Sequence, residues 1–237
     1  NHDIELEESS GVVPWVYMRK MPVNAVQWAI GLELALLTKD PWKVVMTTDH
    51  PNGGPFVNYP EIIALLMSRE KREEEMKTLH EVVRSRSTLP SIEREIDWSE
   101  IVIMTRAAPA RILGLEDKGH LGIGADADIS IYNIRPDEID PSKDHAKVKA
   151  GMSRAKYTIK GGAVVVRDGE IVAAPQGRTY WVDAAVPERD MDRMLSSLKE
   201  KFERYYSIRM SNYMVQDAYL SNPFVVRAGV QPLKEVI

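Results

Sequence analysis

The chain has no cysteine among its 237 residues. Disulfides, iron–sulfur ligation and thiol catalysis by this chain are therefore excluded, and the expected compartment is a reducing one, the cytoplasm. It also lacks a cationic excess: 31 Lys and Arg stand against 35 Asp and Glu, a formal net charge of −4. Non-specific nucleic-acid binding needs a basic field, so no nucleic acid is expected as a partner. Long apolar runs are missing as well. The longest, residues 32–37, is interrupted by Glu33, and no stretch approaches the roughly 20 residues of a membrane span. The chain opens Asn1-His2-Asp3, which is neither an initiator nor a signal peptide. An acidic stretch follows (Asp3, Glu5, Glu7, Glu8), and the start reads as the continuation of something longer.

What is present is enough for a sizeable core, as one large domain or two small ones. Pro22 opens a helical pattern over residues 22–37. Val26, Ile30 and Leu34 recur at four-residue spacing and form its expected buried face, widened by Ala25, Ala29 and Leu36. Asp40-Pro41 stops it, and an apolar strand is predicted over residues 43–48. A helix, a short loop and an apolar strand make the rhythm of a parallel sheet or barrel.

The most informative run comes next: Thr47-Thr48-Asp49-His50-Pro51-Asn52-Gly53-Gly54-Pro55-Phe56. It places a carboxylate and an imidazole where a strand ends and a Gly-rich loop begins. In parallel barrels that end of the strand is the active-site rim, and glycines let backbone approach a ligand. Asp, Asn, Gly and Pro are also turn formers, and on spacing alone a tight turn is an equal reading.

Tyr59-Pro60 begins another helix, and residues 69–75 form a mixed charge run that reads as a solvated helix face. Residues 99–113 are helical, with a kink or break expected at Pro109. From Gly114 to about Val182 the chain becomes Gly-punctuated and β-branched. Strands are expected around residues 127–132, 157–159, 163–166 and 170–172, with Asp168-Gly169 as a hairpin turn. Residues 186–208 read as an amphipathic helix with Met191, Met194, Leu195, Leu198, Phe202 and Tyr205 on one face. The tail, residues 212–237, is too apolar for a loose terminus. The expected divisions are 1–113, 114–183 and 184–237.

Two stretches resemble a known family. Thr105-Arg106-Ala107-Ala108-Pro109-Ala110-Arg111-Ile112-Leu113-Gly114-Leu115 precedes Lys118-Gly119-His120-Leu121 and Gly124-Ala125-Asp126-Ala127-Asp128-Ile129. Together they resemble the C-terminal signature of the amidohydrolase superfamily, with its Ala-Asp-Ala-Asp run expected in a strand with polar side chains outward. Within it, Ser10-Gly11-Val12-Val13-Pro14, residues 22–36 and the Asp49-His50 run resemble the family of A-type subunits of formylmethanofuran dehydrogenases. The corresponding bacterial formyltransferase/hydrolase subunits share that run.

The resemblance implies an α/β fold: the C-terminal portion of a metal-dependent-hydrolase (β/α)8 barrel, a small β-sandwich and a helical tail. It implies condensation of formate with methanofuran, or hydrolysis of formylmethanofuran, at a site with two zinc ions. Other subunits of the complex would be partners, and a tungsten- or molybdenum-pterin centre would sit only in one of them. The family's zinc ligands are a His-x-His, a carboxylated lysine, two further histidines and an aspartate. Asp49 alone has a counterpart, as metal ligand and proton shuttle. His50, Asn52, Gly53 and Gly54 would lie near substrate, with a structural role at the turn an equal reading for His50. No His-x-His occurs in the chain, and His80, His120 and His145 read as solvated. A metal-free scaffold subunit is therefore one alternative. Another is an enzyme acting on a cyclic amide, against which the Gly53-Gly54-Pro55-Phe56 continuation argues.

Overall fold

The computed structural model describes residues 18, 20–48, 50, 55–185, 187–206 and 224–229. The chain divides into two compact units: Pro14–Ala174, and Asn1–Val13 with Pro175–Ile237. The division falls ahead of Tyr180, inside the stretch that composition alone assigns to one β-rich unit.

The larger unit begins with α1, Pro22–Leu37. Proline at its first turn needs no hydrogen-bond partner there. At its other end Thr38 closes the last turn, with its N–H and Oγ1 both donating to Leu34 O. The buried face is Ala25, Ala29, Leu32 and Leu36, not the expected Val26, Ile30 and Leu34, which are exposed. The helix is apolar on nearly every side, so periodicity offers two stripes. The stripe carrying Ala25 and Ala29 wins because small side chains admit close neighbours. Glu33 fixes this orientation: one carboxylate oxygen accepts from Ser87 Oγ and from the N–H groups of Thr88 and Leu89. Burial pushes the Glu33 carboxyl up, and these bonds more than offset it, leaving its pKa below the ordinary value.

The predicted strand at 43–48 takes a different form. Pro41–Lys43 is a 3-10 turn capped by the Asp40 carboxylate, and Val44 onward is extended. Among the described residues no strand pairs with this segment. Its recorded main-chain anchor is Met46 N–H donating to Met104 O at 3.3 Å. A strand is defined by its neighbour, which the apolar pattern cannot supply.

Helix α2, Tyr59–Met67, buries Ile63 to Met67 almost entirely. Ser68 separates it from α3, Arg69–Met76: its hydroxyl accepts from Lys71 N–H and donates to Ser142 O at 2.7 Å. Here the charge run is not simply solvated. Arg72 is 1% exposed. Its guanidinium donates to Leu65 O, Leu66 O, Ile92 O and Arg94 O. Sequence reading missed this because two buried positions, Arg72 and Glu75, inside a run of charges leave no apolar periodicity to read.

Helix α4 is Glu81–Arg86, with the His80 ring accepting from Val82 N–H at its start. Asp97 and Glu100 form a capping box for α5, Trp98–Val102. The helix does not break at Pro109. It widens into a π-turn, Ile103–Ala107, and continues as α6, Ala108–Ile112. Proline has no N–H to offer the carbonyl four residues back, which is Thr105 O. Arg106 Nη1 supplies that donor at 3.0 Å.

Past the helix, Gly119 has φ +79° and lies against α6: a Cβ there would meet Ala110 Cβ at 2.7 Å and Arg106 O at 2.8 Å. Only glycine fits such a contact. Strand β1, Ile129–Tyr132, then pairs antiparallel with β2, Ala155–Lys160; β2 pairs with β3, Ala163–Arg167, and β3 with β4, Glu170–Ile171. Asp168 (φ 50°) and Gly169 (φ 78°) make the expected two-residue hairpin turn. Between β1 and β2 lies an unforeseen helix, α7, His145–Met152. Its single fully buried side chain, Val148, gives too weak a pattern to read; packing against α2 and the Lys149–Glu61 ion pair at 2.5 Å hold it.

In the smaller unit β5, Tyr180–Ala185, pairs parallel with β6, Phe224–Gly229. The apolar tail thus contributes a strand. Helix α8, Glu188–Tyr205, is amphipathic as expected, with Met194, Leu195 and Leu198 exposed. Tyr213 and Tyr219 lie outside the described residues.

Replacing Arg72 by Ala strands several buried carbonyls and opens a cavity. The expected loss is about 3 kcal/mol or more, read from urea unfolding. Arg69→Ala, on the exposed side of the same helix, is expected to cost less than about 1 kcal/mol. Equal costs for the two variants would refute the clamp.

Candidate active-site loop and the adjoining cleft

The Asp49-His50 run is carried between the extended segment ending at Thr48 and the 3-10 turn Phe56–Asn58, which leads directly into α2. Asp49, Asn52, Gly53 and Gly54 lie outside the described residues. His50 is described and exposed. Its ring stacks on Phe56 with centroids 4.1 Å apart and planes 22° from parallel. Phe56 in turn stacks loosely on Tyr59 at 6.3 Å. This aromatic series ties the loop to the first turn of a buried helix. Just before the loop, Thr48 is buried, and its Oγ1 has no hydrogen-bond partner among the described residues.

Beside the loop lies a cleft of about 450 Å³, whose wall includes Met46, Phe56, Tyr59, Thr105, Arg106 and Tyr132. Arg106 Nη2 reaches Tyr132 Oη at 3.4 Å while Nη1 occupies the carbonyl freed by Pro109. Sequence reasoning did not single out Arg106 or Tyr132. The signal was available for Arg106 alone: a polar residue three positions ahead of a mid-helix proline. The cleft can take a group with apolar contacts and an anionic or hydrogen-bond-accepting edge near Arg106.

The other signature residues are structural. Lys118 Nζ lies 2.7 Å from both Asp126 Oδ2 and Asp128 Oδ2. Lys160 Nζ also reaches Asp128 at 2.7 Å, and Gly161 N–H donates to its second oxygen. These aspartates precede β1 and tie three segments together, rather than pointing outward from a strand. The bonds from Lys118 and Lys160, against a small opposing effect of burial, hold the Asp128 carboxyl far below the usual carboxylate range.

The histidines occupy separate places. His80 caps α4; His120 bonds Glu116 O and Gly122 N–H. His145 is half-buried beside Glu74. With no His-x-His in the sequence, the residues present do not amount to a two-metal donor set.

Comparison with known proteins places these features. Residues 1–166 match the model of the amidohydrolase family. The chain belongs to that family, and its fold is of the α/β class. It is 49% identical over 229 residues to protein FwdA of Methanocaldococcus jannaschii, covering 96% of this chain and 40% of that protein. It is 46% identical over 195 residues to the A component of the formyltransferase/hydrolase complex Fhc of Methylorubrum extorquens, covering 82% of this chain and 34% of that one. The crystal structure of the FhcABCD complex from the same bacterium, in complex with methylofuran, superposes with a TM-score of 0.68 at 41% identity over 91% of this chain and 38% of that chain. The chain thus spans about two fifths of the length of the relatives it matches.

The Asp128 node sets an expected acid response. A carboxyl depressed in the folded state stabilises the fold fully above the unfolded aspartate value of about 3.9, and the contribution is lost as pH falls from there towards the lower folded value. Asp128→Asn is therefore expected to lower the urea midpoint at pH 7 and to lose that deficit progressively between about pH 4 and pH 2. A deficit independent of pH would show that the node is not electrostatic.

Proposed function

We propose that this chain is the C-terminal part of the A-type subunit of a formylmethanofuran dehydrogenase or formyltransferase/hydrolase complex. The observation that carries this reading is 49% identity across 96% of the chain. The likeness to the complex holding methylofuran supports it. On this reading the two units are the end of a (β/α)8 barrel with part of its β-sandwich, followed by a helical and extended tail. The exposed α1 stripe of Val23, Val26, Ile30, Leu34 and Leu37 is what a barrel helix presents to its neighbours. Other subunits of the complex are the partners, and the setting is the cytoplasm.

The reaction is formation or hydrolysis of an N-formyl amide. In hydrolysis, water adds to the formyl carbon, the C–N bond breaks, formate leaves and the amine nitrogen takes a proton. Asp49 holds and passes that proton. A carboxylate can do both, because it accepts from the attacking water and donates to the leaving nitrogen. His50, Asn52, Gly53 and Gly54 would lie near substrate, with His50 oriented by its stack on Phe56. The two zinc ions of the family would polarise the formyl oxygen and lower the pKa of water. To such a centre this chain would contribute Asp49 alone. A tungsten- or molybdenum-pterin centre belongs to a different subunit.

Asp49→Asn in the assembled complex is expected to lower formylmethanofuran hydrolysis by about 10²- to 10⁴-fold with subunit stoichiometry unchanged. The measurement is turnover and native mass on the same preparation. Undiminished turnover in a correctly assembled variant would replace this reading by that of a scaffold subunit.

A further inference from the structure

Outside the candidate loop, one group of side chains is arranged as a metal-ligating set. Glu70 and Glu74 stand one turn apart on α3, Arg69–Met76, and His145 is the first residue of α7, His145–Met152. One ligand atom from each lies within 4.8 Å of the other two. The His145 Nε2 to Glu74 Oε2 distance is 3.9 Å.

The charge pattern of α3 marks the same place. At i,i+4 spacing Arg69 pairs with Glu73 and Lys71 with Glu75, each at 2.9 Å. Glu70 and Glu74 break that pattern with like charges, which repel at this spacing. Among the described residues no lysine or arginine forms an ion pair with either. What they face is an imidazole whose side chain is 18% exposed. The loop that delivers His145 is well anchored. Asp140 Oδ1 accepts from both Ser142 N–H and Ser142 Oγ, and Ser142 O accepts from Ser68 Oγ at the very start of α3.

We propose that Glu70, Glu74 and His145 bind a divalent first-row metal ion of the zinc class, at a site independent of Asp49 and its loop. Two carboxylate oxygens and one imidazole nitrogen form a three-ligand set with a fourth position for water. Ligand atoms around a tetrahedral zinc ion are about 3.4 Å apart, so the set closes by a small rotation of the two exposed glutamates. The ion would cross-link α3 to α7 and neutralise the like-charge pair.

The test uses the whole chain, stripped with EDTA and titrated with Zn²⁺ against a chromophoric competitor. Asp49→Asn is expected to keep this site. His145→Ala and the isosteric double variant E70Q/E74Q are expected to weaken it by at least about tenfold, with circular dichroism checking that each remains folded. Co²⁺ should give tetrahedral visible bands in the wild type that both variants lose. Absence of zinc binding by the wild type overturns the proposal. So does equal binding by the wild type and E70Q/E74Q, the variant least able to disturb the fold.

Discussion

Arg72 donates to main-chain carbonyls at the end of α2, Tyr59–Met67, and in the segment running from Ile92 to Arg94. A charge this deep costs several kcal/mol to desolvate. The cost is offset because a helix C-terminus is a pool of carbonyls with no partners of their own and carries partial negative charge. The guanidinium fork meets several of them at once, which an ammonium could not do. Among the described residues it has no carboxylate partner within hydrogen-bond reach; main-chain dipoles hold it.

That clamp matters for the candidate site because both concern α2. Its C-terminus is held by Arg72; its N-terminus begins at Tyr59, next to the aromatic stack of Phe56 and His50. The loop after Thr48 is therefore borne on a helix whose axis is fixed from the far end. The opposite wall of the cleft obeys a similar logic. Pro109 deprives Thr105 of a donor, the helix widens, and Arg106 is drawn in to repair the defect beside Tyr132. A π-turn is a costly conformation, and such turns gather at functional sites.

The amidohydrolase signature reads in sequence as a helix-to-sheet exit followed by a strand with outward aspartates, but the structure sets those aspartates ahead of β1 and binds them to lysines. Lys118 bridges Asp126 and Asp128, Lys160 completes the node, and Gly119 lets the turn lie flat on α6. The motif fixes how a helix passes into a sheet. On the proposed reading, chemistry belongs to the run after Thr48, which in sequence joins a carboxylate, Asp49, to an imidazole, His50.

What the sequence by itself determined was local. The span of α1, the two-residue turn at Asp168-Gly169, the amphipathic α8 and the family membership follow from proline placement, left-handed turn residues, periodicity and motif spacing. These depend on residues a few positions apart. Tertiary structure decided what depends on distant partners. It chose which stripe of a helix apolar on nearly every side is buried, since Ala25 and Ala29 admit neighbours that Val26 and Ile30 would hold off. It turned Arg72 inward, because the carbonyls that satisfy it come from two separate places in the chain. It left residues 44–48 without a ladder among the described residues, because a strand's hydrogen bonds belong to its neighbour. It also brought His145 to Glu70 and Glu74 across some seventy positions, a meeting no local pattern records.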